Sequence, residues 1–326
     1  MSLRPRVPAR GSVVVIDLNT RSRSERAARA VAKRAFSARG ARRAPILYKK
    51  IDSTLKGHIS AELSAARRAL GARPVVFAPA FPGQGRVTRD ARLVLHGKTR
   101  SADIRALLSR AGFPASHLDL ASIRAPRLAA AFRSALRVGA RALVCDAVSD
   151  PDLDRIARAG LALRPRPLFV GSAGLARALA RTLPRRRAAR LRPAERRPVV
   201  TVVGSASPVS AHQARRLARD PSNVLVRLMW TREPARRDLP VLQRLGRVIA
   251  AGAPRAHLVL TGGETARSVL AARGIGEYVL RGEVEPGVPF GMARDGTLIC
   301  TKAGSFGSAD TLLGCVRRLK REMKTR

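Results

Sequence analysis

The sequence predicts an α/β protein of two domains, each built on a mostly parallel sheet flanked by helices. Three observations carry this. Short β-branched runs alternate with Ala/Arg/Leu-rich stretches of helical length. Runs such as VVVI at 13–16 and VVTVV at 199–203 are apolar at every position, as parallel strands covered on both faces are. One stretch, PRRRAARLRPAERRP at 184–198, has seven arginines and no apolar periodicity, and it interrupts the rhythm.

The elements follow in order. The first domain, 1–183, has strands at 13–16, 46–48, 75–78, 142–145 and 168–170, each a β-branched or apolar run. Helices at 24–38, 60–70, 103–111, 126–138, 151–159 and 175–182 alternate with them. Two of these open with proline, whose missing N–H would be unpaired at the first helical position anyway. Residues 184–198 read as an exposed, arginine-rich linker. The second domain, 199–326, has strands at 199–203, 224–228, 258–260 and 298–300, with helices at 210–218, 264–272 and 309–323.

Composition narrows the function. The 326 residues carry 64 Lys+Arg against 22 Asp+Glu, a net charge of +42. Such a balance raises nucleic acid. However, the excess is arginine travelling with alanine on helix faces, as GC-rich coding produces, and only 3% of residues are aromatic, which leaves little surface for base stacking. Nucleic acid is therefore not the expected partner, and the charge suits small anionic substrates. No run reaches the ~18 apolar residues of a membrane span. The basic N-terminus lacks a secretory cleavage site, and the three cysteines form neither a disulfide framework nor a zinc cluster. A cytoplasmic, reducing location is expected.

Four Gly/Ser turns join a strand to a helix, beginning at Gly171, Gly204, Gly262 and Gly304. Glycine lets the backbone approach a ligand, and a helix N-terminus offers unpaired N–H groups to an anion. Three of these turns lie in the second domain, on one edge if its strands are parallel. They predict a phosphate or nucleotide site involving Ser205, Ser207, Gly262, Gly263, Glu264, Thr265 and Gly304. Neither a P-loop nor a dinucleotide fingerprint is present. In the first domain the polar stretch 48–58 contains Lys50, Asp52, Ser53 and Lys56, able to hold a carboxylate or phosphate. Gln84 and Arg86, after the strand at 75–78, are expected to point into the same crevice. The five histidines show no metal spacing and read as surface or loop residues. Cys145 and Cys300 read as buried, inert thiols, and Asp146 as a strand end capping the next helix.

Several of these segments carry a resemblance. YKKIDSTLKGHISAEL (48–63), APAFPGQGR (78–86), VCDAVSDPDL (144–153), VGSAGLARAL (170–179), VGSASPVSAHQ (203–213), TGGETA (261–266), EVEPGVPFG (283–291) and TKAGSFG (301–307) occur in the order found in the four-carbon acid sugar kinase family, which the chain resembles over nearly its whole length. The resemblance implies an N-terminal domain that binds a sugar acid and a C-terminal domain that binds ATP, with Mg²⁺. It implies phosphoryl transfer to the terminal hydroxyl of threonate, erythronate or 3-oxo-tetronate. Asp52 is implied as the catalytic carboxylate or substrate anchor. Lys56, Gln84 and Arg86 are implied beside it, with Ser205 or Ser207, 262–265 and Gly304 on the nucleotide. A homodimer is left open.

Two departures qualify the likeness. The family's opening ADDLTGA-type motif, expected to bring acidic residues to the substrate, is not found in this sequence, which begins nearer a VVVIDLNTRS segment. Lys56 stands where the family usually has Arg, which keeps the charge but loses the bidentate fork. The alternative expectation is accordingly a truncated, inactive relative that retains nucleotide binding.

Overall fold

The computed structural model describes residues 13–21, 23–100, 103–183, 194–229 and 238–323. The chain divides into two compact units that part at 186/187. Most of the segment 184–198 lies outside the described residues. In its described end, 194–198, Glu195, Arg196 and Pro198 are exposed, yet the backbone is tied down. Ala194 is buried and donates to the Glu322 carbonyl, while the Pro198 carbonyl accepts from His257 N. Both contacts lie within the second unit.

The first unit runs α1 (Glu25–Ser37), α2 (Arg39–Arg43), β1 (Leu47–Lys50), α3 (Ile59–Leu70), β2 (Val75–Ala78), β3 (Arg86–Arg89), β4 (Arg92–Leu95), β5 (Lys98–Thr99), α4 (Ile104–Arg110), β6 (Ala115–Leu118), α5 (Leu120–Arg124), α6 (Leu128–Arg137), β7 (Ala142–Cys145), α7 (Asp150–Leu161), β8 (Leu168–Gly171) and α8 (Ala173–Thr182). Five strands form an all-parallel sheet in the order β1-β8-β2-β7-β6. The chain steps one way across it from β1 to β2 to β6, then back through β7 to β8. Right-handed crossovers therefore place helices on both faces.

The alternation within β2 expresses this. Val75 and Phe77 pack with Phe36, Leu63 and Leu108 from α1, α3 and α4, while Val76 and Ala78 pack with Phe132, Ile156 and Leu175 from α6, α7 and α8. Helix α1 is fixed by Ser24, whose hydroxyl accepts from Ala27 N, and it buries Ala28, Val31, Ala32 and Phe36 at helical spacing.

A second, antiparallel sheet, β3-β4-β5, rises between β2 and α4. Residues 13–16 form no strand. Val13 is 86% exposed and Val15 82%, because a β-branched run makes a strand only where a neighbouring strand offers ladder partners.

The second unit runs β9 (Val199–Val203), α9 (Pro208–Leu217), β10 (Val224–Arg227), α10 (Leu239–Gly252), β11 (His257–Thr261), α11 (Gly263–Ala272), β12 (Tyr278–Glu285), β13 (Val288–Ala293), β14 (Leu298–Lys302) and α12 (Thr311–Arg321). Its sheet has the order β10-β9-β11-β14-β13-β12. The first four strands are parallel, and the β12–β13 hairpin extends them antiparallel. Among the described residues no helix is long and apolar enough to cross a membrane.

Candidate active site

In an open sheet wound in both directions, ligands sit where neighbouring strand ends send the chain to opposite faces. In the first unit the ends of β1 and β2 flank that of β8. This gathers residues 51–58, 80–86 and 172–174 at one edge, and the contacts confirm that they meet. Arg86 Nη1 donates to the hydroxyl of the buried Ser53. The Ser172 hydroxyl donates to the Ala80 carbonyl at 2.9 Å.

Asp52 lies just past β1 in a tight turn. Its Oδ1 accepts from Thr54 N at 2.7 Å and from Thr54 Oγ1 at 2.5 Å, while Oδ2 faces Arg21 Nη1 at 3.3 Å. Burial pushes this carboxyl up. The two Thr54 bonds, with the charges of Arg21 and Lys50, outweigh burial and hold it below the usual carboxylate range. Oδ2 carries only the longer Arg21 contact. Lys50 and Lys56 are exposed on this edge, and Gln84 is half-buried at the end of a short 3-10 turn.

Sequence reasoning missed the support beneath Asp52. Glu62, 3% exposed on α3, pairs with Lys49 Nζ at 2.5 Å and accepts from the Thr20 hydroxyl. His58 Nε2 meets the Arg23 carbonyl at 2.7 Å. Together these contacts lay the segment before α1 along the 52–58 loop and the first turn of α3, and bring Arg21 to Asp52. The signal was the basic run after VVVID, but nothing local says where it lands.

Three single-residue expectations need correction. His117 is a strand residue of β6, not a surface one, and its Nε2 meets Asp146 Oδ2 at 2.8 Å. Asp146 does not cap the following helix, whose cap is the Ser149–Asp152 capping box. Instead it accepts from the amides of Asp90 and Ala91, the two positive-φ residues of the β3–β4 turn. Burial raises its pKa against the pull of His117 and those amides. His257 is likewise fully buried within β11. Its Nδ1 accepts from Leu298 N, so its Nε2 donates to the Glu195 carbonyl, both at 3.0 Å. Cys145, Cys300 and Cys315 are buried free thiols.

In the second unit the predicted turns converge. They leave the carboxyl ends of β9, β11 and β14, which are parallel and adjacent. Gly204 N donates to the Thr261 carbonyl at 3.2 Å and Gly262 N to the Lys302 carbonyl at 2.9 Å, tying each turn to the next strand. Ser207 N donates to Ser205 Oγ at 3.2 Å. Thr265 is buried, and a Cβ at Gly204 would stand 2.1 Å from its hydroxyl. Gly262 has φ +99°, a conformation that favours glycine. Helix α9 begins after Ser207, with Pro208 in its first turn, and α11 begins after Gly262. Gly263 is exposed at the start of α11, and Glu264 beside it pairs with Arg267. Two ten-residue helices therefore open at the edge where the glycine turns meet, with free N–H groups and positive dipole ends.

The turn after β14 rests on a residue sequence reasoning also missed. Lys302 is 3% exposed, and its Nζ donates to the carbonyls of Ala303 and Gly304 at 2.9 Å and of Phe306 at 3.1 Å. Gln213 holds the Phe306 and Ser308 carbonyls, and Glu285 accepts from Ser308 and Thr311.

Two α/β units, each gathering glycine turns and polar side chains at the carboxyl edge of a parallel sheet, define a two-domain ligand-binding protein. Residues 3–179 match a family described as a sugar-binding N-terminal domain, and residues 239–312 one described as a nucleotide-binding C-terminal domain. The chain is 35% identical to a D-threonate kinase of Cupriavidus necator, over 93% of this chain and 87% of the relative. It is 30% identical to a D-threonate kinase of Salmonella typhimurium, over 82% and 79%, and 33% identical to one of Bordetella bronchiseptica, over 86% and 79%. The chain belongs to the four-carbon acid sugar kinase family. Solved structures of a Haemophilus influenzae protein (TM-score 0.72, 19% identity, 92% of this chain and 88% of that one) and of a Salmonella typhimurium protein (0.75, 20%, 92% and 87%) share its fold.

Proposed function

We propose that the chain is an ATP-dependent kinase that phosphorylates the terminal hydroxyl of a four-carbon sugar acid, with D-threonate as the leading substrate. The curated relatives bear that name. The single observation that carries the nucleotide half is the convergence of the Gly204, Gly262 and Gly304 turns on the N-termini of α9 and α11. On this reading the α9 and α11 amides, with Ser205, Ser207 and 262–265, hold the phosphates. Lys50, Lys56 and Arg86 hold the acid's carboxylate.

The acceptor oxygen attacks the γ-phosphorus, the bond to the bridging oxygen breaks, and ADP leaves. Asp52 Oδ2 orients the hydroxyl. Because this carboxyl is held below its usual range, it is a weak base, and its Oδ2 accepts the hydroxyl proton only as the new bond to phosphorus forms. Mg²⁺ would arrive on the nucleotide's phosphates and offset their charge there, a mode that calls for no more than one or two carboxylates from the protein.

The test is ADP formation with Mg-ATP and D-threonate, D-erythronate, L-threonate or 3-oxo-tetronate. Turnover on one acid, lost in Gly263→Asp, is expected. The absence of ADP with every acid would overturn the reading.

A further inference from the structure

The environment of Lys302 is that of a bound ion. Its ammonium stands where four neutral oxygens converge: the carbonyls of Ala303, Gly304 and Phe306, and Ser210 Oγ at 3.2 Å. An ammonium has three N–H groups, so four acceptors consume them all and none remains to reach a phosphate. Lys302 thus differs from a phosphate-gripping lysine, which meets its ligand as a free point charge. The oxygens belong to the turn that carries Gly304, and the same turn is pinned from α9 by Ser210 Oγ, which donates to the Gly304 carbonyl at 2.6 Å, and by Gln213. Neutral oxygens around one positive charge are the coordination chemistry of potassium or ammonium.

We propose that the Lys302 ammonium is a built-in monovalent cation that holds the 303–306 turn in its nucleotide-binding form, making Lys302 a positioning residue. This rests on the reading of that turn as part of the nucleotide site. Burial lowers the Lys302 pKa to about 8, while Glu285 on β12 and Cys315 on α12, the titratable groups facing it, pull the other way. The charge is therefore present at neutrality and is lost above about pH 8.

The experiment uses the full chain and a Lys302→Ala variant, assayed in buffers free of potassium and ammonium. The variant should raise KM for ATP by about tenfold or more and leave KM for the acid unchanged. Added potassium, ammonium or ethylammonium should restore ATP binding in the variant and do nothing to the natural protein. Unaltered KM for ATP in the variant, or a loss that none of the three cations repairs while the melting temperature is retained, would overturn the proposal.

Should Lys302→Ala not fold, Lys302→Arg decides. The natural protein should lose ATP affinity as pH rises past about 8, and the arginine variant should not. Identical profiles would overturn it. Hydrogen exchange of amides 303–308, measured without nucleotide, separates this idea from the function it rests on. Failure of the natural protein to bind ATP would overturn the nucleotide reading, whereas unchanged exchange in the lysine variants would overturn the role of Lys302.

Discussion

Ser205 Oγ fills the space that a side chain at Gly304 would need: a Cβ built there would stand 2.0 Å from it. The turns after β9 and β14 are thus fitted to one another at the level of a single methyl group. Gly304→Ala should weaken ATP binding by about tenfold or more. Ser205→Gly in the same chain should recover part of the loss by vacating the space. Titration calorimetry with a non-hydrolysable ATP analogue reads both, and wild-type affinity in Gly304→Ala would show that the fit is irrelevant to the nucleotide.

Gly263 offers the opposite case, since a Cβ there meets nothing within 4 Å. Aspartate in the first turn of α11 complements the helix dipole, so Gly263→Asp should melt no lower than the natural protein. Its charge nevertheless occupies the place assigned to a phosphate. Retained structure with ATP affinity lowered tenfold or more is expected, on the order of 1.4 kcal/mol. If affinity stays put, the phosphates do not lie on α11.

Asp52→Asn preserves the shape of the turn while removing the charge that orients the acceptor. Loss of kcat by about 10²-fold or more is expected, with KM for ATP unmoved. Because Thr54, Arg21 and Lys50 outweigh burial at Asp52, this group should produce no fall in kcat/KM between neutrality and the ordinary aspartate pKa of about 3.9. An acid limb that sits above that value and disappears in Asp52→Asn would refute this.

His257 should set an acid limit on the second unit. Burial lowers its pKa below 6.5, outweighing the Glu195 carbonyl bond, and the neighbouring Arg197 adds to the lowering. Protonation would also destroy the Nδ1 acceptor used by Leu298. The folded pKa is depressed, so the stabilisation is present above the unfolded value of about 6.5 and is lost as pH falls below it. Urea midpoints followed from neutrality into that range should drop in the natural protein and drop less in His257→Gln. Parallel slopes would remove His257 from the account.

The central parallel strands of both sheets were legible because covered parallel strands are apolar at every position, whereas the half-exposed β6 and β12 were not; the turns were legible because glycine must stand where one backbone crosses closely over another. What escaped was mostly non-local. Helix α10 reads weakly with Pro240 and Gly246 in its pattern, yet Gly246 is a packing requirement: a Cβ there would lie 2.4 Å from the Ser268 carbonyl of α11. The β12–β13 hairpin also went unread, although Pro286–Gly287, with Gly287 at φ +85°, is a pairing suited to a type II turn. The run at 13–16 misled because propensity does not supply a partner strand. Arg21 beside Asp52 could not be foreseen, since it depends on where a distant segment comes to rest; Lys302 stands two residues from Gly304, and what escaped there is its burial against Ser210 of α9. His117 and His257 misled for the same reason: a histidine outside any ligand spacing can still sit in a strand with its ring nitrogens engaged, one in His117 and both in the fully buried His257.

The strand order of the first unit has a consequence for how the chain is made. β8, the last strand of that sheet to leave the ribosome, lies between β1 and β2, which emerge far earlier. Until residue 171 has been synthesised, β1 and β2 have no shared ladder and the apolar side chains of β2 lack part of their cover. Such late, long-range pairing is slow and leaves sticky edges exposed in the meantime. Pauses or truncations upstream of β8 should therefore favour aggregation of the nascent chain, whereas an interruption within α8 should release an assembled sheet.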